Sequence, residues 1–290
     1  MDVPEDAAER AVTMSGLCFQ RNTTGRDFVV GDLHGQSAMF DALLRAVSFD
    51  RSKDRIFSLG DIIDRGTGSE ELLVRFSTEP GFFAIRGNHE QMLIEADDNL
   101  GNFKMWQTYG GNWALSLSLS RRLELADLAK RLPLAASLEL ADGRKVGLVH
   151  AEVPPGTSWS DAFAAAATPE DQRDADATRI AASLLWGRQR YSALEAKVRD
   201  PEGKAVSASR RSDIDLASQP VAGVELVLCG HNIVEGHKPK LLGNTLFLDT
   251  GSFEKRGRLT MYEPATRAYW QCRWVSRVPT VSRAMLPATP

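Results

Sequence analysis

Five short apolar runs in this chain each close on a glycine, a polar residue or both, and this repetition constrains the fold more than any other feature. They are DFVVGD (27–32), IFSLGD (56–61), FFAIRGN (82–88), VGLVH (146–150) and LVLCGH (226–231). Each is short and rich in β-branched and aromatic residues, the pattern of a buried strand that ends at a loop. The residues that close them are Asp32, Asp61, Asn88, His150 and His231. In open α/β sheets, ligands gather beyond the carboxyl ends of the strands, so five such ends are expected to converge on one site.

Helical patterns separate several of the runs. Met39, Phe40, Leu43, Leu44 and Val47 make one apolar face, and Leu125, Leu128, Ala129 and Leu132 make another that Pro133 stops. Later in the chain, Asp142-Gly143 and Gly243-Asn244 suit tight hairpins. A strand-rich half after a βαβ half predicts an α/β (α+β) fold of two packed sheets flanked by helices. A hydrophobic content of 43% in 290 residues is enough for one good core. The expectation is one domain over 1–290, with a short polar N-terminal extension at 1–24. Residues 157–222 read as an interruption, and the polar part at 198–218 as a mobile insertion or lid.

A formal charge of −3 and the lack of any long run of like charge argue against nucleic acid as a partner. Three cysteines, Cys18, Cys229 and Cys272, form no close pair and are expected as buried thiols in a reducing compartment. The acidic start MDVPEDAAERAVTMSG is unlike a signal peptide, and no apolar run is long enough to span a membrane. The expected location is the cytoplasm, with no membrane partner.

The chemistry lies in the polar residues at and after the run ends. GDLHG places Asp32 and His34 two apart, on one face of an extended backbone. GDIIDRG adds Asp61, Asp64 and Arg65, and GNHE adds Asn88 and His89. Of the five histidines, only His237 lies away from the end of an apolar run, and it is expected on a solvated loop. Three oxygen ligands (Asp32, Asp61, Asn88) and three imidazoles (His34, His150, His231) are too many for one tetrahedral zinc. They suit two five- or six-coordinate ions, which would sit ~3.5 to 4 Å apart and share one ligand, best a carboxylate.

Together, GDLHG, GDIIDRG, GNHE, the late His150 and the Gly230-His231 pair resemble the signature of the calcineurin-like metallophosphoesterases, specifically the phosphoprotein phosphatases. VHAEVP is similar to the bacterial and bacteriophage-lambda type of serine/threonine protein phosphatase. The resemblance implies a sandwich of two mixed sheets with the metal site at the strand carboxyl ends. It implies that Asp32 and His34 hold a first divalent ion, that Asp61 bridges, and that Asn88, His150 and His231 hold a second. Manganese is the implied ion, with iron or zinc as alternatives. His89 becomes the acid that protonates the leaving oxygen, with Asp64 holding its imidazole; a carboxylate partner keeps an imidazole protonated near neutral pH. Arg65 and Arg188 are the implied phosphate contacts, with Arg190 as an alternative to Arg188, because guanidinium forks match phosphate oxygens in pairs. YGGNW (109–113) is similar to a family segment and reads as a backbone turn near the site.

The implied reaction is hydrolysis of phosphoserine or phosphothreonine, with phosphotyrosine as an option, in a phosphoprotein or phosphopeptide. A metal-bridging water attacks directly and no phosphoenzyme forms. Two other readings are a dinucleoside polyphosphate hydrolase, whose relatives commonly carry Gln where His34 stands, and an inactive scaffold of the same fold. The chain departs from the family in having Asn232-Ile233 where Thr-Pro is usual, and in a longer stretch between Arg190 and Val224.

Overall fold

All five apolar runs form strands in the computed structural model, which describes residues 17–200 and 207–287. The strands are β1 (Leu17–Phe19), β2 (Asp27–Val30), β3 (Arg55–Ser58), β4 (Phe82–Ala84), β5 (Ala135–Glu139), β6 (Lys145–Val149), β7 (Leu226–Cys229), β8 (Lys240–Leu242), β9 (Thr245–Phe247), β10 (Leu259–Glu263), β11 (Ala268–Val275) and β12 (Val278–Met285). The helices are α1 (Ser37–Ala46), α2 (Ser69–Thr78), α3 (Asn88–Glu95), α4 (Leu100–Thr108), α5 (Leu119–Lys130), α6 (Trp159–Ala167), α7 (Ala175–Trp186), α8 (Gln189–Arg199) and α9 (Ala208–Ser218).

The strands make two six-stranded sheets, ordered β1-β5-β6-β7-β9-β8 and β12-β11-β10-β2-β3-β4. Both are mixed: β2, β3 and β4 run parallel to one another, as do β6, β7 and β9, and antiparallel neighbours flank each set. Because side chains alternate along a strand, each central strand serves two cores. Val29 and Phe57 point between the sheets, toward Leu138, Leu148, Leu228 and Leu246. Their neighbours Phe28, Val30 and Ile56 pack with Phe40, Leu43, Leu73 and Leu125 from the helices α1 to α5. On the other outer face, Val149, Val227 and Cys229 lie with Trp159, Leu184 and Leu194 from α6 to α9. Burial on both faces is why these runs read as continuous apolar segments rather than as alternating ones.

Gly147 has a specific packing task, since a Cβ there would stand 2.5 Å from the Trp159 ring. The missing side chain lets that indole lie flat on β6. Both expected hairpins form, β5 with β6 around Asp142-Gly143 and β8 with β9 around Gly243-Asn244; Gly143 has φ 83° and Gly243 φ 58°. Helix α5 ends just before Pro133, as the sequence predicts.

Three expectations change. Within 1–24, residues 17–19 form β1, which pairs in parallel with β5, while residues 1–16 lie outside the described residues. Within 198–218, residues 208–218 form α9, whose first turn is capped by the Ser207 hydroxyl accepting from Arg210 N–H; residues 201–206 lie outside the described residues. Its composition reads as a loop because only Ile214 and Ala217 are buried on an otherwise polar helix. Cys18 is exposed, whereas Cys229 and Cys272 are buried thiols. Among the described residues, no helix is long and apolar enough to cross a membrane.

Candidate active site

The parallel strands deliver their carboxyl ends to one pole of the sandwich, and the chain turns sharply there. His34, Asp61, Asp64, Arg65 and His231 all adopt left-handed backbone conformations, with φ of 44°, 48°, 74°, 68° and 62°. Such conformations cost of order ~1 kcal/mol or more each in non-glycine residues and persist only where the surroundings enforce them. Glu90 does much of the enforcing. Its carboxylate is fully buried and accepts four backbone N–H bonds, from Asp61 and Gly87 at 2.8 Å, Ile62 at 2.8 Å and Ile63 at 3.2 Å. Burial and the neighbouring Asp61 push its pKa up to about 7, against the pull of those donors. The sequence reading gave Glu90 no role. Its signal was the capping-box spacing, a Glu three residues after the N-terminal cap Gly87 of α3.

Hydrogen bonds at the rear of two imidazoles fix which nitrogen faces the cleft. His34 Nδ1 lies 3.1 Å from Ile63 O, and His150 Nδ1 lies 2.8 Å from Leu59 O. A carbonyl only accepts, so each Nδ1 carries the proton and each Nε2 turns a lone pair inward. Burial lowers the pKa of both rings, and burial together with His150 pushes His231 down to about 3. Neutral imidazoles of this kind are ligands rather than cations.

Asp61 is the hub. Its Oδ1 lies 3.3 Å from His150 Nε2, and its Oδ2 lies 3.7 Å from His34 Nε2 and 3.8 Å from His89 Nε2. Burial would raise its pKa, but in the acid range where the surrounding rings are protonated the charges on His150, His89 and His34 outweigh burial and hold the carboxyl below the usual range. Two groups with ligand atoms within 4.8 Å of one another share it, His34-Asp61-His89 and Asp61-His150-His231. Asn88 Oδ1 completes the second group, 2.9 Å from His150 Nε2 and 2.8 Å from His231 Nδ1. With the proton of His150 on Nδ1, two acceptors face each other across that first distance, an arrangement that a cation between them makes favourable. His231 Nε2 is buried without a hydrogen-bond partner. Imidazole nitrogens with carboxylate and amide oxygens, and no thiolate, fit manganese, iron or zinc.

Asp32 stands outside both groups. Its oxygens accept the His231 backbone N–H at 2.9 and 3.1 Å, and a Cβ on Gly230 would come within 1.9 Å of Oδ1, so only glycine permits the approach. Burial, then Asp249 and Asp61, raise its pKa well above the ordinary value. Asp249, which the sequence reading did not single out, is buried beside the cleft with its own pKa pushed up to about 7, mainly by burial. Crowded carboxylates of this kind call for positive charge.

His89 has a different environment. Its Nδ1 lies 2.6 Å from Asp64 Oδ2, and Asp64 is fully buried. Asp64 also accepts the indole N–H of Trp113 at 2.7 Å and of Trp106 at 3.0 and 3.1 Å. Burial would lower the pKa of His89, but Asp61 and Asp64 prevail and raise it. The YGGNW turn thus supplies Trp113 as well as Gly110, whose carbonyl accepts Arg65 N–H at 3.1 Å. Trp106 gave no signal in sequence, since it reads as one more apolar residue of α4.

Arg65 lies over the Phe253 ring, 3.9 Å from its centroid, with Nη1 2.7 Å from His34 Nε2 and Nη2 3.3 Å from His89 Nε2. Arg188 lines the same cleft of about 440 Å³, along with His34, Asp61, Asn88 and His89. Arg190 does not. It is 1% exposed and donates to the carbonyls of Val153, Ala217 and Gln219 at 2.7 to 2.9 Å, and its own N–H goes to the buried Glu152. The two arginines should therefore separate by experiment. Arg190→Met is expected to cost about 3 kcal/mol of stability in chemical denaturation, because it leaves the buried carbonyls of Val153, Ala217 and Gln219 without their donor. Arg188→Ala is expected to raise KM about tenfold with little change in Tm.

The unusual Asn232-Ile233 pair braces the His231 loop. Asn232 Nδ2 donates to Gly187 O at 3.2 Å, and Ile233 O accepts the Tyr191 hydroxyl at 2.6 Å. His237 is half-buried rather than solvated, with Nδ1 3.1 Å from Thr250 O, and belongs to neither ligand group.

A sandwich of two mixed sheets with such a centre at one pole defines a metal-dependent hydrolase of phosphate esters. Residues 28–235 match the calcineurin-like phosphoesterases, and the chain belongs to that family. It is 29% identical over 238 residues to serine/threonine-protein phosphatase 2 of Escherichia coli K12, covering 81% of this chain and 91% of the relative. It is 32% identical over 144 residues to the symmetrical bis(5'-nucleosyl)-tetraphosphatase of Pseudomonas fluorescens SBW25, covering 49% of this chain and 48% of the relative. The fold is similar to that of a serine/threonine phosphatase structure from Saccharomyces cerevisiae, with a TM-score of 0.51 at 17% identity, covering 95% of this chain and 85% of the other. Enzymes of the family use divalent metal ions.

Proposed function

We propose that this chain is a two-metal phosphomonoesterase that removes phosphate from serine and threonine side chains of proteins, with tyrosine as a further option. The observation that carries this reading is the buried Asp64–His89 pair set beside Asp61, whose carboxylate lies 3.3 to 3.8 Å from the imidazoles of His34, His89 and His150. Asp32 and His34 would hold one ion, Asn88, His150 and His231 the other, and Asp61 would bridge them. Bound there, two such ions supply Lewis acidity toward the phosphoryl oxygens and a water of lowered pKa.

The protein's own groups account for the rest. Arg65 and Arg188 grip phosphate oxygens with paired N–H donors and set the phosphorus in line between the attacking and leaving oxygens. With Arg65 turned from His89 Nε2 onto the phosphate, His89 gives a proton from Nε2 to the departing serine or threonine oxygen, while its Nδ1–H keeps donating to Asp64. The two indoles hold Asp64 without neutralising it, so the imidazole keeps its orientation and its charge. Three unpaired cysteines support a cytoplasmic setting.

Sequence similarity to a protein phosphatase over 81% of this chain supports the protein substrate, whereas sequence similarity to the dinucleoside tetraphosphatases covers about half of it. That second similarity is what favours a nucleotide as the second reading. The test is phosphate release from a phosphoserine peptide and from diadenosine tetraphosphate in parallel, with metal-stripped protein before and after manganese is returned. Peptide hydrolysis that is absent without metal and restored by manganese is expected. Consumption of the dinucleotide alone would overturn the protein substrate.

A further inference from the structure

We propose that the groove between α8 and α9 is a docking channel for the segment next to the phosphorylated residue, and that it selects segments carrying an acidic side chain. The inference rests on the phosphopeptide reading above and names the feature that substrate would carry.

Arg188 is the link. It lines the catalytic cleft on one side and, on the other, a groove of about 470 Å³ that also holds Gln189, Ser192, Arg210 and Asp213. A chain whose phosphate sits in the cleft therefore has a continuous path past Arg188 toward Arg210. Neither guanidinium is engaged by a hydrogen bond or ion pair among the described residues; Arg210 is held only through its backbone N–H, by Ser207. Among the described residues, Asp213 is the one acidic residue on the groove wall, so two cations face one anion there. With the phosphate drawing on Arg188, Arg210 is the charge left for a second acidic group further along the peptide.

The floor of the groove argues for a peptide over a nucleoside. Ala193, Ile214, Leu216 and Ala217 make it aliphatic, and Trp186 and Tyr191 line the catalytic cleft instead. Among the described residues the groove offers a base no ring to stack on, whereas an extended backbone with small or aliphatic side chains fits such a lining.

The test uses the full-length manganese-loaded enzyme and phosphoserine peptides identical except for Glu or Lys at the positions flanking the phosphoserine. The readout is the ratio of kcat/KM for the Glu peptide to that for the Lys peptide, which cancels changes in the amount of active enzyme. The wild type is expected to favour Glu by about tenfold at low salt, with the preference shrinking as ionic strength rises. Arg210→Glu is expected to reverse the ratio and Arg210→Gln to bring it near one, so the second variant decides the matter if the first does not fold. Equal rates in the wild type, or a preference that both variants retain, would overturn the channel while leaving the phosphatase reading intact. Hydrolysis of diadenosine tetraphosphate with no cleavage of either peptide would overturn both.

Discussion

Asp61→Asn is expected to lower turnover by about 10³-fold and to release at least one of two bound ions, counted by elemental analysis of the purified variant. The substitution keeps nearly the same shape. An Asn at this position still offers the oxygen that accepts His89 N–H at 3.0 Å, so the start of α3 should be preserved. What disappears is the negative charge that His34, His89 and His150 all face at 3.3 to 3.8 Å. A loss confined to this site, with an unchanged unfolding transition in the metal-free state, would assign the effect to the missing charge. A variant that keeps both ions and full turnover would remove Asp61 from its bridging role.

The second large effect concerns His89, and it should depend on the leaving group. A serine oxygen leaves as a strongly basic alkoxide unless it is protonated, so His89→Asn is expected to slow phosphoserine hydrolysis by about 10²- to 10⁴-fold. A p-nitrophenolate needs far less help, and the same variant should lose much less activity on p-nitrophenyl phosphate. The pH profile gives an independent check. Asp61 and Asp64 raise the pKa of His89, and an acid works only while it holds its proton. Wild-type turnover of the peptide should therefore persist below that raised pKa and decline above it, and the variant should lack this alkaline limb. Equal losses on the two substrates, or a two- to threefold loss on both, would count against the acid role.

Different physics made different parts of the molecule legible. The central strands were readable because burial on both faces leaves a continuous apolar run, a signal carried by four to six adjacent residues. The polar residues of the candidate site were readable because each lies within a few positions of such a run, so locating the strand locates the residue. The helix at 208–218 was not, since two buried side chains on a polar helix leave almost no periodicity. Nor could the sequence decide between Arg188 and Arg190, two residues apart in one segment. The turn between α7 and α8 sends Arg188 to the cleft, while Arg190 sinks into the carbonyls of Val153, Ala217 and Gln219.

By itself, then, the sequence determined the two-sheet architecture, the family and the list of polar residues at the strand ends, because local pattern and short spacing encode all three. Only the tertiary structure decided how those residues meet. It made Asp61 the carboxylate common to two ligand groups, turned the Nε2 atoms of His34 and His150 inward through remote carbonyls, and set Asp64 between two indoles. It also placed Glu90 under the Asp61 loop and opened a groove from Arg188 to Arg210. Among the hydrogen bonds of the site, His89 meets Asp64 from 25 positions away in the chain and His231 meets Asp32 from 199 away. Hydrogen-bond direction and the electrostatics of burial depend on such long-range neighbours, and no local pattern carries them.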